Sequence, residues 1–435
     1  MRSIALFLEL IVLLPVVFVR PFVGVILWSW ISFMNPHRLV FGGVALAVPW
    51  AMLIFIATII GCVMAREPKR LPVNAVTVQI GLFLIVISVA SLFALAPAAD
   101  VERKWEAVFK VFLFLLVTAG LLTSRERIHA LVWVMALSLA FFGIKGGGFT
   151  LIGGGADRVF GPESSMIRDN NHLAVAMLVS LPLMNYLRLE SRHAIIRYGF
   201  LAAMALTLFA VVGSYSRGAL LALAAVCGFF WLKSSNKIIT GMLMAFALVA
   251  AITFMPEGWV DRMHTIENYQ ADGSANARLE IWRVAWQMAV ARPLVGAGFY
   301  ATYTQSVVDR FNPLLVWRAV HSIWFEVLGE NGFPTFIVWV GITVAAAIYA
   351  RRIIRHAKGV PGLEWCVNLA RMAQVSMIAY LVGGTFLSLS YWDYYFTILV
   401  IVAATWQLVR AALPEKPRRW AVAANSLPAR LAPSR

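Results

Sequence analysis

Long apolar runs separated by short polar breaks dominate the chain. They cover residues 43–64, 76–96, 106–122, 129–144, 173–189, 198–213, 218–232, 238–255, 322–350, 369–388 and 394–411. Most approach the length of about 20 residues that a helix needs to cross a hydrocarbon core of about 30 Å. The alternating strands of a membrane barrel, about ten residues each, are not visible. The pattern predicts an all-α integral membrane protein of about 12 transmembrane helices, counting residues 4–34 once. That first unit is broken at Arg20-Pro21. Proline removes a helix hydrogen bond and clashes with the preceding turn. Residues 4–34 are therefore expected to form one broken crossing or a re-entrant hairpin, ending at Asn35-Pro36-His37-Arg38.

One long polar interruption, from Met255 to about Pro334, stands out against this background. It divides the chain into an N-terminal transmembrane bundle (1–255), a helical external domain (256–321) between the ninth and tenth apolar runs, and C-terminal transmembrane helices (322–412). A basic tail, 413–435, rich in Ala, Pro and Arg, reads as disordered and cytoplasmic. No internal repeat and no separate soluble domain are apparent.

Composition agrees with a membrane chain. Apolar residues are 61% and charged residues 13% of the 435, where a soluble domain carries about 25% charged. The net charge of +16 does not imply nucleic acid, because its placement follows the positive-inside pattern. Arg66–Arg70, residues 124–128, Arg188–Arg197, Lys233–Lys237, Arg351–Arg355 and the tail all fall on one side of the alternating crossings, which assigns that side to the cytoplasm. The 97–105 loop is the exception, but Asp100 and Glu102 offset its Arg103 and Lys104. The external face then gathers the 145–172 loop, the Ser214–Arg217 turn, the 256–321 domain and the Ser390–Asp393 turn. Cys62, Cys227 and Cys366 lie in or beside apolar runs and read as small core residues. No small-residue cleavage site follows Met1-Arg2-Ser3, so no removed signal peptide is expected.

Beyond Lys145, these external segments use arginine and not lysine: Arg158, Arg168, Arg217, and Arg262, Arg278, Arg283, Arg292, Arg310 and Arg318 of the long stretch. A guanidinium grips phosphate bidentately and keeps its proton. The pattern suits a lipid-linked phosphate or diphosphate; pairing with Asp261, Glu267 and Glu280 is the plainer alternative. Arg217 stands out, because a charge in so short a turn between apolar runs is costly. His321 stands at the mouth of an apolar helix, where a neutral imidazole can take a proton from a sugar hydroxyl, or simply cap the helix. Glu326 and Glu330 share a helix face. Five residues separate His321 from Glu326, about 140° of helical phase, so Glu326 is expected to pair with an arginine of another helix. Leu279, Trp282 and Trp286 recur at helical spacing beside Arg278 and Arg283, which predicts an amphipathic interfacial helix with Arg278 toward lipid phosphate. It breaks at Arg292-Pro293, before a turn at Gly296-Ala297-Gly298. Glycines 146–148 and 153–155 read as a flexible loop or hinge. No His-Glu-x-x-His, zinc-spaced cysteine pair or Walker loop occurs, so neither a metal nor a cofactor is expected.

Several segments occur in an order similar to that of the O-antigen ligase superfamily: Arg168-Asp169-Asn170-Asn171-His172, Ser214-Tyr215-Ser216-Arg217-Gly218, Asn276 through Trp282, Pro293 through Gly298, and His321 through Gly332. The resemblance covers roughly residues 140–390. The opening, Arg20-Pro21-Phe22 to Asn35-Pro36-His37-Arg38, resembles the exosortase-associated O-glycosylation ligase subgroup. The resemblance implies a metal-independent, inverting, GT-C-like membrane glycosyltransferase of the bacterial inner membrane. It would move a glycan from undecaprenyl diphosphate to lipid A–core oligosaccharide at the periplasmic face. Arg217 and Arg278 would hold the diphosphate, with Arg168, Arg283, Asn170 and Asn171 as further substrate-binding residues, and His321 would be the base. An O-antigen polymerase and a protein O-oligosaccharyltransferase share these motifs. A lipid-linked glycan transporter is the alternative of a different class, but it needs a polar path through the bilayer, and intramembrane charge is sparse.

Overall fold

The computed structural model describes residues 2–40, 44–234, 236–264 and 273–413; the tail from 414, expected to be disordered, lies outside them. All regular structure among these residues is helical. In chain order the helices are α1 (Arg2–Val19), α2 (Pro21–Met34), α3 (Val44–Ala47), α4 (Trp50–Met64), α5 (Ala75–Leu92), α6 (Ala98–Leu121), α7 (Arg125–Ile152), α8 (Asn170–Glu190) and α9 (Ala194–Val212). They continue as α10 (Arg217–Lys233), α11 (Lys237–Phe254), α12 (Glu257–His264), α13 (Gly273–Ala291), α14 (Gln305–Val308), α15 (Ile323–Ala357), α16 (Glu364–Gly384) and α17 (Asp393–Ala412). Among the described residues, eight of these are long and apolar enough to cross a membrane, and four shorter apolar helices accompany them.

The first unit is a helical hairpin. The Phe7 ring meets Trp50 at 5.7 Å, and a Cβ added to Gly61 would sit 2.4 Å from the Val17 carbonyl oxygen, so α1 runs parallel to α4. After Arg20, α2 returns: the Phe22 N–H donates to Glu67 at 3.0 Å, and Ser32 donates to Asp393.

Turns expected on one side do meet at one end of the bundle. Arg127 bonds Glu67 at 2.5 Å and lies over the Phe22 ring, while Glu190 accepts from Arg125 at 3.4 Å and Asn368 at 2.9 Å. The turns expected on the other face meet at the far end. Asn170 Nδ2 donates to the Ser214 carbonyl at 2.6 Å, Arg262 Nε to the Tyr215 carbonyl at 3.1 Å, and the Tyr215 hydroxyl to the Gly155 carbonyl at 2.7 Å.

Two expectations on element bounds change. Residues 97–105 are not a loop, because α6 starts at Ala98 and carries Asp100 to Lys104 within it. Its charges interrupted the apolar run without interrupting the helix. Glycines 146–148 are not a hinge either, because α7 runs through them to Ile152. A Cβ at Gly147 would lie 2.0 Å from the Leu206 carbonyl oxygen, so the missing side chain lets α9 pack closely. The apolar face of α13 is Ile281, Val284, Ala285 and Met288, whereas Leu279 and Trp286 are exposed.

Helix α15 is broken at Gly332 (φ 75°, ψ −177°), two residues before Pro334. In an unbroken helix Phe333 and residue 334 would donate to Gly329 and Glu330. Here Phe333 donates to Pro293, and proline has no N–H. The Gly329 and Glu330 carbonyls accept from Ala297 (2.9 Å) and Gly298 (2.7 Å) instead. Gly296 and Gly298 both have positive φ, and a Cβ at Gly296 would lie 2.6 Å from the Glu330 backbone. The glycine turn is thus the plug for a broken helix.

Candidate functional site

Three helix N-termini converge at the Arg217 end. Helix α8 begins after Asp169, whose side chain accepts from the Asn171 N–H at 2.8 Å. Helix α10 begins after Ser216, whose hydroxyl accepts from Ala219 at 3.2 Å, and Arg217 is its first residue. Helix α15 begins after Ser322, which makes no side-chain cap, and the buried Ser322 hydroxyl has no hydrogen-bond partner among the described residues. The His172 and His321 rings, 6.3 Å apart, join the first and third of these ends. Helix N-termini carry partial positive charge and unpaired N–H groups, so their meeting favours an anion.

His321 lies outside the helix it was expected to open. Its backbone is left-handed (φ 48°), a costly conformation for a non-glycine residue. The Ser388 hydroxyl holds it there by accepting its N–H at 2.9 Å. The Val320 carbonyl, one residue earlier, accepts from Trp282 Nε1 at 2.8 Å, which ties the turn to α13. Buried Nδ1 of His321 has no hydrogen-bond partner among the described residues. Burial lowers its pKa from the ordinary 6.5 to about 4, with the Arg278 guanidinium as the next cause. The imidazole is therefore neutral near pH 7, next to a fixed cation. Burial works against the charge of Asp169, yet hydrogen bonds from His172 and Asn171 hold its carboxyl well below the usual range.

The predicted residues divide into two groups. His321 and Arg278 are brought together, and half-buried Arg217 opens the helix tied to α8 through Asn170. Asn170 is buried and spent on that tie, and Asn171 is spent on Asp169. Arg168 is exposed and paired with Glu163 at 2.7 Å, and Arg283 is exposed on α13.

Among the described residues Glu326 pairs with a lysine, where an arginine was expected. Lys104 of α6 reaches Glu326 at 3.1 Å and Glu330 at 2.6 Å, and all three side chains are largely buried. Ser390 donates to Glu326 at 2.5 Å, and Tyr391 to Glu330 at 3.0 Å. The Glu326 carboxylate is thereby committed, which removes a His321–Glu326 dyad on grounds of partners and not only of helical phase. Lys104, Ser388, His172 and Asp169 were missed as contributors. Lys104 carried one signal: with Lys145 it is a lysine on a face that otherwise uses mainly arginine. Among the described residues, no group of three or more His, Cys, Asp or Glu is placed to hold a metal ion.

Among the described residues the fold is that of a multi-pass, all-helical membrane protein, and three helix N-termini with Arg217, Arg278 and His321 lie at one end of its bundle. Residues 202–340 match the O-antigen ligase family. This span includes Arg217, Arg278, the glycine plug and His321. Residues 1–192, which supply Lys104 and the start of α8, match a family of unknown function (DUF5935). No protein of curated function matches the chain. The domain supports a membrane function of the O-antigen ligase or polymerase type.

Proposed function

We propose that the protein is an O-antigen ligase. It transfers a glycan from undecaprenyl diphosphate to lipid A–core oligosaccharide, at the periplasmic face of the bacterial inner membrane. The observation that carries this reading is the placing of a neutral, buried imidazole beside Arg278 where three helix N-termini meet.

The donor diphosphate lies between Arg217 and Arg278. An acceptor hydroxyl oxygen attacks the anomeric carbon as the bond from that carbon to the diphosphate oxygen breaks, which inverts the centre. The hydroxyl proton passes to His321, and the leaving diphosphate keeps the electron pair. Fixed guanidinium charge and helix dipoles stabilise that developing negative charge. Donor binding also prepares the base: a diphosphate beside Arg278 offsets the cation that disfavours the imidazolium, so proton affinity rises once substrate is present. The Lys104–Glu326–Glu330 cluster is a positioning element that locks the start of α15, and with it the His321 turn, against α6.

Complementation of a strain lacking O-antigen ligase tests the assignment. Capped lipopolysaccharide is the expected result. Lengthened but uncapped glycan would assign a polymerase, and glycosylated protein an oligosaccharyltransferase. Membrane-inserted protein with no change in any of these glycans would overturn the reading.

A further inference from the structure

We propose that the crevice between α10, α15 and α16 binds an anionic phospholipid, with its phosphate on Arg351 and Arg355 at the end of the bundle opposite His321. The crevice has a volume of about 450 Å³, and its walls include Phe229, Thr343, Ala347, Met377, Arg351 and Arg355. Residues 343, 347, 351 and 355 recur every fourth position and form one stripe along α15. From Thr343 to Arg355 that stripe is about 18 Å long at 1.5 Å per residue. One leaflet of hydrocarbon is about 15 Å deep, so an acyl chain fits along the stripe with its headgroup at the arginines.

The charge says which lipid. Arg351 and Arg355 are exposed, and neither has an ion-pair partner among the described residues. Arg352, between them in sequence, is not a wall residue and lies over the Tyr349 ring at 5.9 Å. Two guanidiniums one helical turn apart at the mouth of an apolar slot suit a phosphodiester. A glycan donor with its diphosphate at Arg217 would place no phosphate at this end. The occupant is thus a lipid of the opposite leaflet, wedged among the helices whose far ends carry Arg217 and His321. The proposal does not depend on the glycosyl-transfer reading.

The test uses the full chain in detergent, with phosphatidylglycerol or phosphatidylcholine of identical acyl chains added, followed by thermal unfolding and native mass spectrometry. Phosphatidylglycerol is expected to raise the unfolding midpoint by several degrees more than phosphatidylcholine and to remain bound in the gas phase. Arg351→Gln with Arg355→Gln abolishes that difference. Arg352→Gln with Arg410→Gln, which removes equal charge away from the crevice, preserves it. Ala347→Trp fills the slot and removes the effect while both arginines stay, which covers failure of the double variant to fold. Retention of the lipid difference in Arg351→Gln/Arg355→Gln overturns the proposal, as does equal loss in the control. Stronger displacement by undecaprenyl phosphate than by phosphatidylglycerol would assign the slot to an isoprenoid tail instead.

Discussion

Replacing Arg278 by Gln removes one charge beside His321 and leaves most of the burial in place. The imidazole pKa falls from 6.5 to about 4, first through desolvation and second through Arg278. At about 1.4 kcal/mol per tenfold change in proton affinity, the imidazolium is disfavoured by about 3 kcal/mol. Arg278→Gln abolishes the second cause only, so the pKa rises but stays below 6.5. The base works in its neutral form, and kcat/KM reports the free enzyme. The wild-type profile should be flat down to about pH 5 and fall about tenfold per pH unit below about pH 4. In Arg278→Gln the whole profile drops through loss of the clamp, and its acid limb moves to higher pH. Stability follows the same sign. A histidine with lowered folded pKa adds stability that is complete above 6.5, declines as pH falls toward 4, and changes no further below that. The assay is initial-rate transfer from a lipid-linked glycan by the purified protein across this range. An acid limb that does not move in Arg278→Gln, or a wild-type limb at 6.5 or above, would refute the reasoning.

Four further outcomes are expected. His321→Ala should lower transfer about 10²–10⁴-fold while the protein remains folded in membranes; near-normal lipopolysaccharide ladders would remove the base assignment. Arg217→Lys should lose about 10²-fold or more if the planar fork matters, and full activity would show that charge alone suffices. Lys104→Met leaves Glu326 and Glu330 buried without their cation and should cost about 3–5 kcal/mol. Thermal stability in detergent reads this loss, adding Glu330→Gln should restore part of it, and unchanged stability would mean that the cluster is not an ion pair. A single cysteine at Asn276 should react with an impermeant maleimide from the periplasm; reaction only from the cytoplasm would invert the orientation.

The membrane class was plain in the apolar runs, because the length of a crossing is imposed by the bilayer and not by neighbouring helices. The shared end of the loops was equally plain, since alternation alone brings Arg217, Arg262 and His321 to one end; residues 265–272 of the expected external domain lie outside the described residues. Bounds failed where local polarity and packing disagree. Asp100 to Lys104 look like a loop by composition, yet form a helical turn, because Lys104 finds two carboxylates on α15. Glycines 146–148 look like a hinge, yet they lie within α7, and α9 needs the missing side chain of Gly147.

The sequence by itself determined the class of protein, the order of its motifs and the candidate base, His321. These rest on hydrophobic length, charge type and residue chemistry, all of which are local. Only the tertiary structure decided that Asn170 and Asn171 are spent on fastening turns, that Arg168 is held by Glu163, and that Lys104 answers Glu326. Only it set the His321 ring near His172 and under the field of Arg278. Partner choice depends on which helix faces which, and helical phase within one segment carries no information about its neighbour.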